Sequence, residues 1–70
     1  MMTPDFARRK IAGELNRVGR PDIRIDVDLE HVELSSNGKC WGGAINVLLN
    51  ALGRIPDGKG GPDLLETLPQ

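Results

Sequence analysis

Apolar residues recur along this chain with three different periods, and each period predicts an element. Ala7, Ile11, Leu15 and Val18 are spaced four, four and three apart, which places them on one stripe of a helix. Thr3-Pro4-Asp5 supplies a hydroxyl N-cap, a first-turn proline and a carboxylate at the positive end of the helix dipole. Gly19 suits a C-cap and Pro21 blocks continuation, so an amphipathic helix is expected over about residues 4–18.

The second period is two. Ile23, Ile25, Val27 and Leu29 alternate with Arg24, Asp26, Asp28 and Glu30, the pattern of a strand with one buried and one wet face. The apolar phase then shifts by one residue, to Val32 and Leu34, which predicts a β-bulge near Glu30-His31 inside one long strand. Two strands split at Glu30, giving a three-stranded meander, are the alternative. Asn37-Gly38 tolerates positive φ at both positions and predicts a tight hairpin, with a short return strand from Lys39 to Gly42.

In the third segment, Ala44 to Leu52, apolar residues run almost all round a helix, interrupted by Asn46 and Asn50. A polar stripe this narrow predicts burial on most sides, and the two amides either face water or meet their copies in a second chain. Gly53 ends the helix. Arg54 to Gly61 reads as a loop, and Pro62-Asp63 as the start of a last helical turn bearing Leu64, Leu65 and Leu68 as an apolar tag. The expected fold is therefore α+β: a small α-β-β-α unit over residues 1–53, followed by a loose Gly/Pro-rich tail over residues 54–70.

Size and composition add a demand for contacts. A 70-residue chain buries only about 60% of the surface its unfolded form exposes. Cys40 is the only cysteine and His31 the only histidine, so an internal disulfide is ruled out and a zinc site lacks most of its ligands. Two strands alone are too few for stability, and the segment ahead of the bulge has an open edge. The expectation is a homodimer, with Ile23, Ile25 and Val27 pairing antiparallel with their copies and Ile45, Leu48 and Leu49 covered across the interface. Centred on Ile25, that register sets Ile23 against Val27 and Arg24 against Asp26 of the mate.

Net charge is −1, but it is unevenly spread: six basic and three acidic residues lie through Arg24, then four acidic and no basic residues from Ile25 to Leu34. No stretch is long enough for a membrane span and no secretory pattern opens the chain, so a cytoplasmic protein with a reduced thiol is expected.

Few constellations could carry chemistry. Gly53 to Gly60 matches a phosphate loop at its first glycine and its Gly-Lys, but Gly60 replaces the metal-binding hydroxyl and a helix precedes it where a strand is required. Asp26, Asp28 and Glu30 follow one strand face and diverge along it, whereas a hard cation needs converging oxygens, so no metal or other cofactor is expected. Cys40 and His31 lie on opposite arms of the hairpin but lack an orienting group, and no catalytic residue is assigned. Chemistry this sparse points away from an enzyme. It points to a protein-binding adaptor or inhibitor, of the size of phage or mobile-element accessory proteins. Its contact groups would be Leu64, Leu65 and Leu68 with Asp26, Asp28 and Glu30. The alternative is a dimeric nucleic-acid-binding regulator using Arg8, Arg9, Lys10 and Arg17 against phosphates.

Overall fold

A computed structural model describes residues 3–69, and within them an α+β fold: one helix, a three-stranded antiparallel sheet, then two further helices. Helix α1 spans Pro4–Arg17, and the Thr3 hydroxyl accepts from the Phe6 amide at 3.1 Å, the capping contact that its sequence implies. Ala7, Ile11, Leu15 and Val18 are all buried, so the predicted stripe is the face that meets the core. Gly19 follows at a φ of 88°, a left-handed turn that glycine adopts without strain.

The strands are β1 Arg24–Asp28, β2 His31–Ser36 and β3 Lys39–Ala44, in the sheet order β1-β2-β3. The expected bulge is corrected here. β1 and β2 are separate strands joined by a two-residue turn at Leu29-Glu30, with Val27 opposite Val32 and Asp28 opposite His31. A two-residue turn shifts the apolar phase by the same single step as a bulge, because Val27 and Val32 are directly opposed and so share a face. At the next turn Asn37 and Gly38 have φ values of 51° and 80°, as a hairpin with two left-handed positions requires.

Helix α2, Ile45–Gly53, begins on the residue after β3. No side chain caps it, but the Ile45 amide donates to the Glu30 carbonyl at 3.0 Å, which ties the β1–β2 turn to the start of the helix. Ile45, Leu48 and Leu52 are buried, whereas Asn46 and Asn50 face water. Helix α3, Leu64–Thr67, closes the fold against β3.

One apolar cluster joins all of these elements: Ile11 and Leu15 from α1, Val32 and Leu34 from β2, Trp41 from β3, Leu48 and Leu52 from α2, and Leu64, Leu65 and Leu68 from the C-terminal segment. The division into a domain over residues 1–53 and a loose tail is therefore corrected. The segment after α2 is stitched to α1: the Gly58 amide donates to the Arg17 carbonyl and the Gly60 amide to the Val18 carbonyl, both at 2.9 Å. Trp41 Nε1 donates to the Pro69 carbonyl at 2.6 Å, which fixes the C-terminal end over the core.

Candidate functional site

With both long helices packed on one side of the sheet, the other side is left uncovered. Strand alternation sends Arg24, Asp26 and Asp28, then His31, Glu33 and Ser35, then Cys40, Gly42 and Ala44 to this outer face, all exposed. The register arranges them in three rows: Arg24–Ser35–Cys40, Asp26–Glu33–Gly42 and Asp28–His31–Ala44. Acidic side chains thus crowd the β1–β2 half, while β3 contributes only small ones. The result is a ridge of carboxylates beside a flat shelf, with a shallow depression of about 370 Å³ across the first two rows.

Asp26 and Glu33 are directly opposed, a like-charge cross-strand pair that works against the sheet. Among the described residues, Asp26, Asp28 and Glu30 have no cationic side chain within ion-pair distance, and Glu33 has only His31 Nε2 at 3.6 Å. Arg24, in the neighbouring row, also has no carboxylate partner among the described residues. Several charge clusters elsewhere are neutralised in place. Arg20 and the Ser36 hydroxyl hold the Asp22 carboxyl well below the usual carboxylate range. Glu66 and Asp63 raise the Lys39 ammonium, at 2.8 and 3.3 Å. Glu14 and Asp57 raise the Arg17 guanidinium. Among the described residues Arg8, Lys10, Arg54 and Lys59 also lack a carboxylate partner, so what distinguishes the outer face is that its unpaired charge is chiefly acidic and crowded into adjacent rows.

Of the residues expected to bind a partner, Asp26 and Asp28 lie together on this face and Glu30 stands exposed at the hairpin tip beside it. Leu64, Leu65 and Leu68 do not join them. They are 0%, 4% and 4% exposed, so the apolar tag is core, because α3 folds back under β3. The residues expected to need a second copy are also covered within the chain: Ile23, Ile45 and Leu48 are buried, and Ile25, Val27 and Leu49 are half-buried against the core. Val47 remains 39% exposed.

Arg17 is likewise removed from any phosphate-binding face. It donates to the Leu52 and Ile55 carbonyls at 2.7 and 2.8 Å and pairs with Glu14 and Asp57, so its donors are engaged inside the fold. Arg8, Arg9 and Lys10 are exposed on α1, with Arg9 paired to Asp5 at 3.0 Å and Lys10 lying 6.0 Å from the Phe6 ring. The loop that resembles a phosphate cradle has its Gly58 and Gly60 amides bonded to α1 carbonyls, which removes the donors that a phosphate would use. Cys40 and His31 stand two rows apart on the sheet, about 13 Å along the strand direction, too far for proton transfer. Among the described residues, no group of three or more His, Cys, Asp or Glu could hold a metal ion, and no helix is long and apolar enough to cross a membrane.

One residue that sequence reasoning assigned to the buried face belongs to the surface. Leu29 is 74% exposed and sits at a φ of 51°, a conformation that an L side chain rarely adopts. The signal available was the symmetry of Val27 and Val32 about Leu29-Glu30, which fits a two-residue turn as well as a bulge. Leu29 overhangs a wider, mostly apolar groove of about 890 Å³ between the hairpin tip and the start of α1. The chain matches no family model, no curated protein and no solved structure.

Proposed function

We propose that this protein is a non-enzymatic interaction module, a small adaptor or inhibitor that lays the outer face of its sheet against a larger host protein. The observation that carries this reading is the uncovered sheet face, where among the described residues Asp26 and Asp28 have no cation and Glu33 has only His31 at 3.6 Å. The acidic residues outside the sheet, Asp5, Glu14, Asp22, Asp57, Asp63 and Glu66, are each paired with a cation. A partner presenting Arg and Lys over a flat surface would relieve the Asp26–Glu33 repulsion, and electrostatic complementarity of this kind chiefly sets specificity and association rate. Leu29 beside the acidic ridge supplies an apolar anchor, the type of residue that dominates binding energy when it is buried. Within this reading the protein acts in the cytoplasm, with Cys40 reduced, as a phage or mobile-element accessory product would. A second copy of the chain is a further partner, at the free edge of β1.

The test is affinity capture from the native host with the wild-type chain and with Asp26→Lys/Asp28→Lys. A protein retained by the wild type and lost with the variant supports the reading. A protein held equally by both, or capture that nuclease treatment abolishes, refutes it.

A further inference from the structure

The outer row of backbone groups on β1 has a definite chemistry. In an antiparallel ladder closed by a two-residue turn, the pair flanking the turn is hydrogen-bonded, and so is every second pair after it. With Asp28 opposite His31, the bonds to β2 come from Asp28, Asp26 and Arg24. The amides and carbonyls of Ile25 and Val27 therefore point out of the sheet's open side, since β1 is an edge strand. Among the described residues no backbone or side-chain group bonds to them. An edge like this is a template for another strand.

We infer that β1 pairs with β1 of a second copy, antiparallel about a two-fold axis at Ile25, to give a continuous six-stranded sheet. This deepens the self-association half of the proposed function and needs nothing from the host-protein half.

Charge selects the occupant and the register together. The edge strand carries Arg24, Asp26 and Asp28 in the order plus, minus, minus, and neither Arg24 nor Asp26 has an ion-pair partner among the described residues of its own chain. Centring on Ile25 makes Ile25 face its copy through backbone bonds and sets Ile23 against Val27, where the Ile23 amide must exchange its long 3.4 Å bond to the Arg20 carbonyl. It also places Arg24 against Asp26 twice, at the closely spaced non-bonded positions. Shifting the centre to Asp26 would pair Arg24 with Asp28 but sets the two Asp26 side chains against each other, and shifting it to Arg24 sets two arginines against each other. Only the Ile25-centred pairing neutralises both charges. Asp22 falls opposite Asp28 in this register, but its charge is already compensated by Arg20 and Ser36 in its own copy. The half-buried Ile25 and Val27 side chains gain cover from the mate, while the outer face stays open because the pairing lies in the plane of the sheet.

The test is sedimentation equilibrium over roughly 10 to 500 µM, the range suited to a small interface. The wild type is expected to rise from the monomer mass towards twice that value. Arg24→Glu and Asp26→Arg, each on an exposed face, should weaken dimerisation at least about ten-fold, and the double variant R24E/D26R should recover to within about three-fold of wild type. Circular dichroism confirms that each variant is folded. A wild type that stays monomeric throughout overturns the inference. So does a dimer indifferent to the single changes, or a double variant that fails to recover, since the Asp26-centred register would not be restored by the swap. None of these outcomes bears on host capture, so the two proposals fail separately.

Discussion

The Arg17 guanidinium donates to the carbonyl of Leu52 at 2.7 Å, joining the C-terminal turn of α1 to that of α2. The same side chain reaches the Ile55 carbonyl, Glu14 and Asp57, so one residue adds a second donor to the Leu52 carbonyl, which already accepts from the Ile55 amide, and ties the loop after α2 to the first helix. Only a planar fork can serve all of these acceptors at once. Arg17→Ala is expected to lower the melting temperature by several degrees, and Arg17→Lys by nearly as much. Thermal denaturation of the pair checks this, and full rescue by lysine would mean that charge alone matters.

Leu29 carries backbone strain at an exposed hairpin tip. A non-glycine residue in the left-handed region costs on the order of 1 to 3 kcal/mol, and little burial is lost by truncating a side chain that is 74% exposed. Leu29→Gly is predicted to stabilise the fold by about 0.5 to 1 kcal/mol in urea denaturation, glycine's greater unfolded-state freedom taking back part of the gain. The same variant should bind a captured partner less tightly, the usual exchange of stability for function. A destabilised variant would show that Leu29 is held by packing.

Gly42 and Gly43 are adjacent on β3 but face opposite ways, and a methyl group distinguishes them. At Gly43 a Cβ would lie 2.7 Å from Cη2 of the buried Trp41 ring, whereas at Gly42 it would rest 3.5 Å from His31 Nε2 on the open face. Gly43→Ala should destabilise by about 1 to 3 kcal/mol and shift the tryptophan emission, while Gly42→Ala should be tolerated. Equal effects at the two positions would contradict the assignment of faces.

Leu64 is fully buried in the segment that the sequence marks as a tail. Leu64→Ala is expected to cost about 2 to 5 kcal/mol, a large share of the stability of a domain this small. Chemical denaturation followed by Trp41 fluorescence gives the value. A change below about 0.5 kcal/mol would mean that α3 docks only loosely.

The Asp22 carboxyl is held below its ordinary range first by Arg20 and then by the Ser36 hydroxyl. A group depressed in the folded state contributes its full stability above the unfolded pKa, about 3.9, and loses it as pH falls from there through the folded value. Asp22→Asn should therefore be less stable than wild type near neutrality, with the gap closing steadily below about pH 4. Urea midpoints measured down to roughly pH 2 test this, and a gap that does not narrow would locate the contribution elsewhere.

Local signals made part of this structure legible. The α1 stripe with its Thr3 cap and the Asn37-Gly38 turn depend on neighbours in sequence, and both form as their residues dictate. The acidic half of the candidate face was legible for a similar reason, since strand alternation alone sends Asp26 and Asp28 to one side. The break at Leu29-Glu30 was legible only as the alternative of two strands split at Glu30, the version that forms, because neither residue favours a turn. Its position comes from tertiary fit, with Val27 meeting Val32 across the ladder and the Glu30 carbonyl receiving the Ile45 amide. Leu64, Leu65 and Leu68 read the same in sequence whether they end in a core or on a surface, and only the fold-back of the chain decides. Arg17 was misread because its acceptors lie 35 to 40 residues away.

Those distant acceptors also impose an order on biosynthesis. When residue 50 has left the ribosome, α1 and the whole meander are available, but Leu52, Ile55, Asp57 and Gly61, which hold Arg17 and Arg20, are still to come. Chains fold as their segments emerge, so until then Arg17 and Arg20 have only Glu14 and Asp22, close in sequence, and the core lacks Leu52, Leu64 and Leu65. Emergence of residues 52–61 gives both guanidinium groups their distant acceptors and ties the end of the first helix in place.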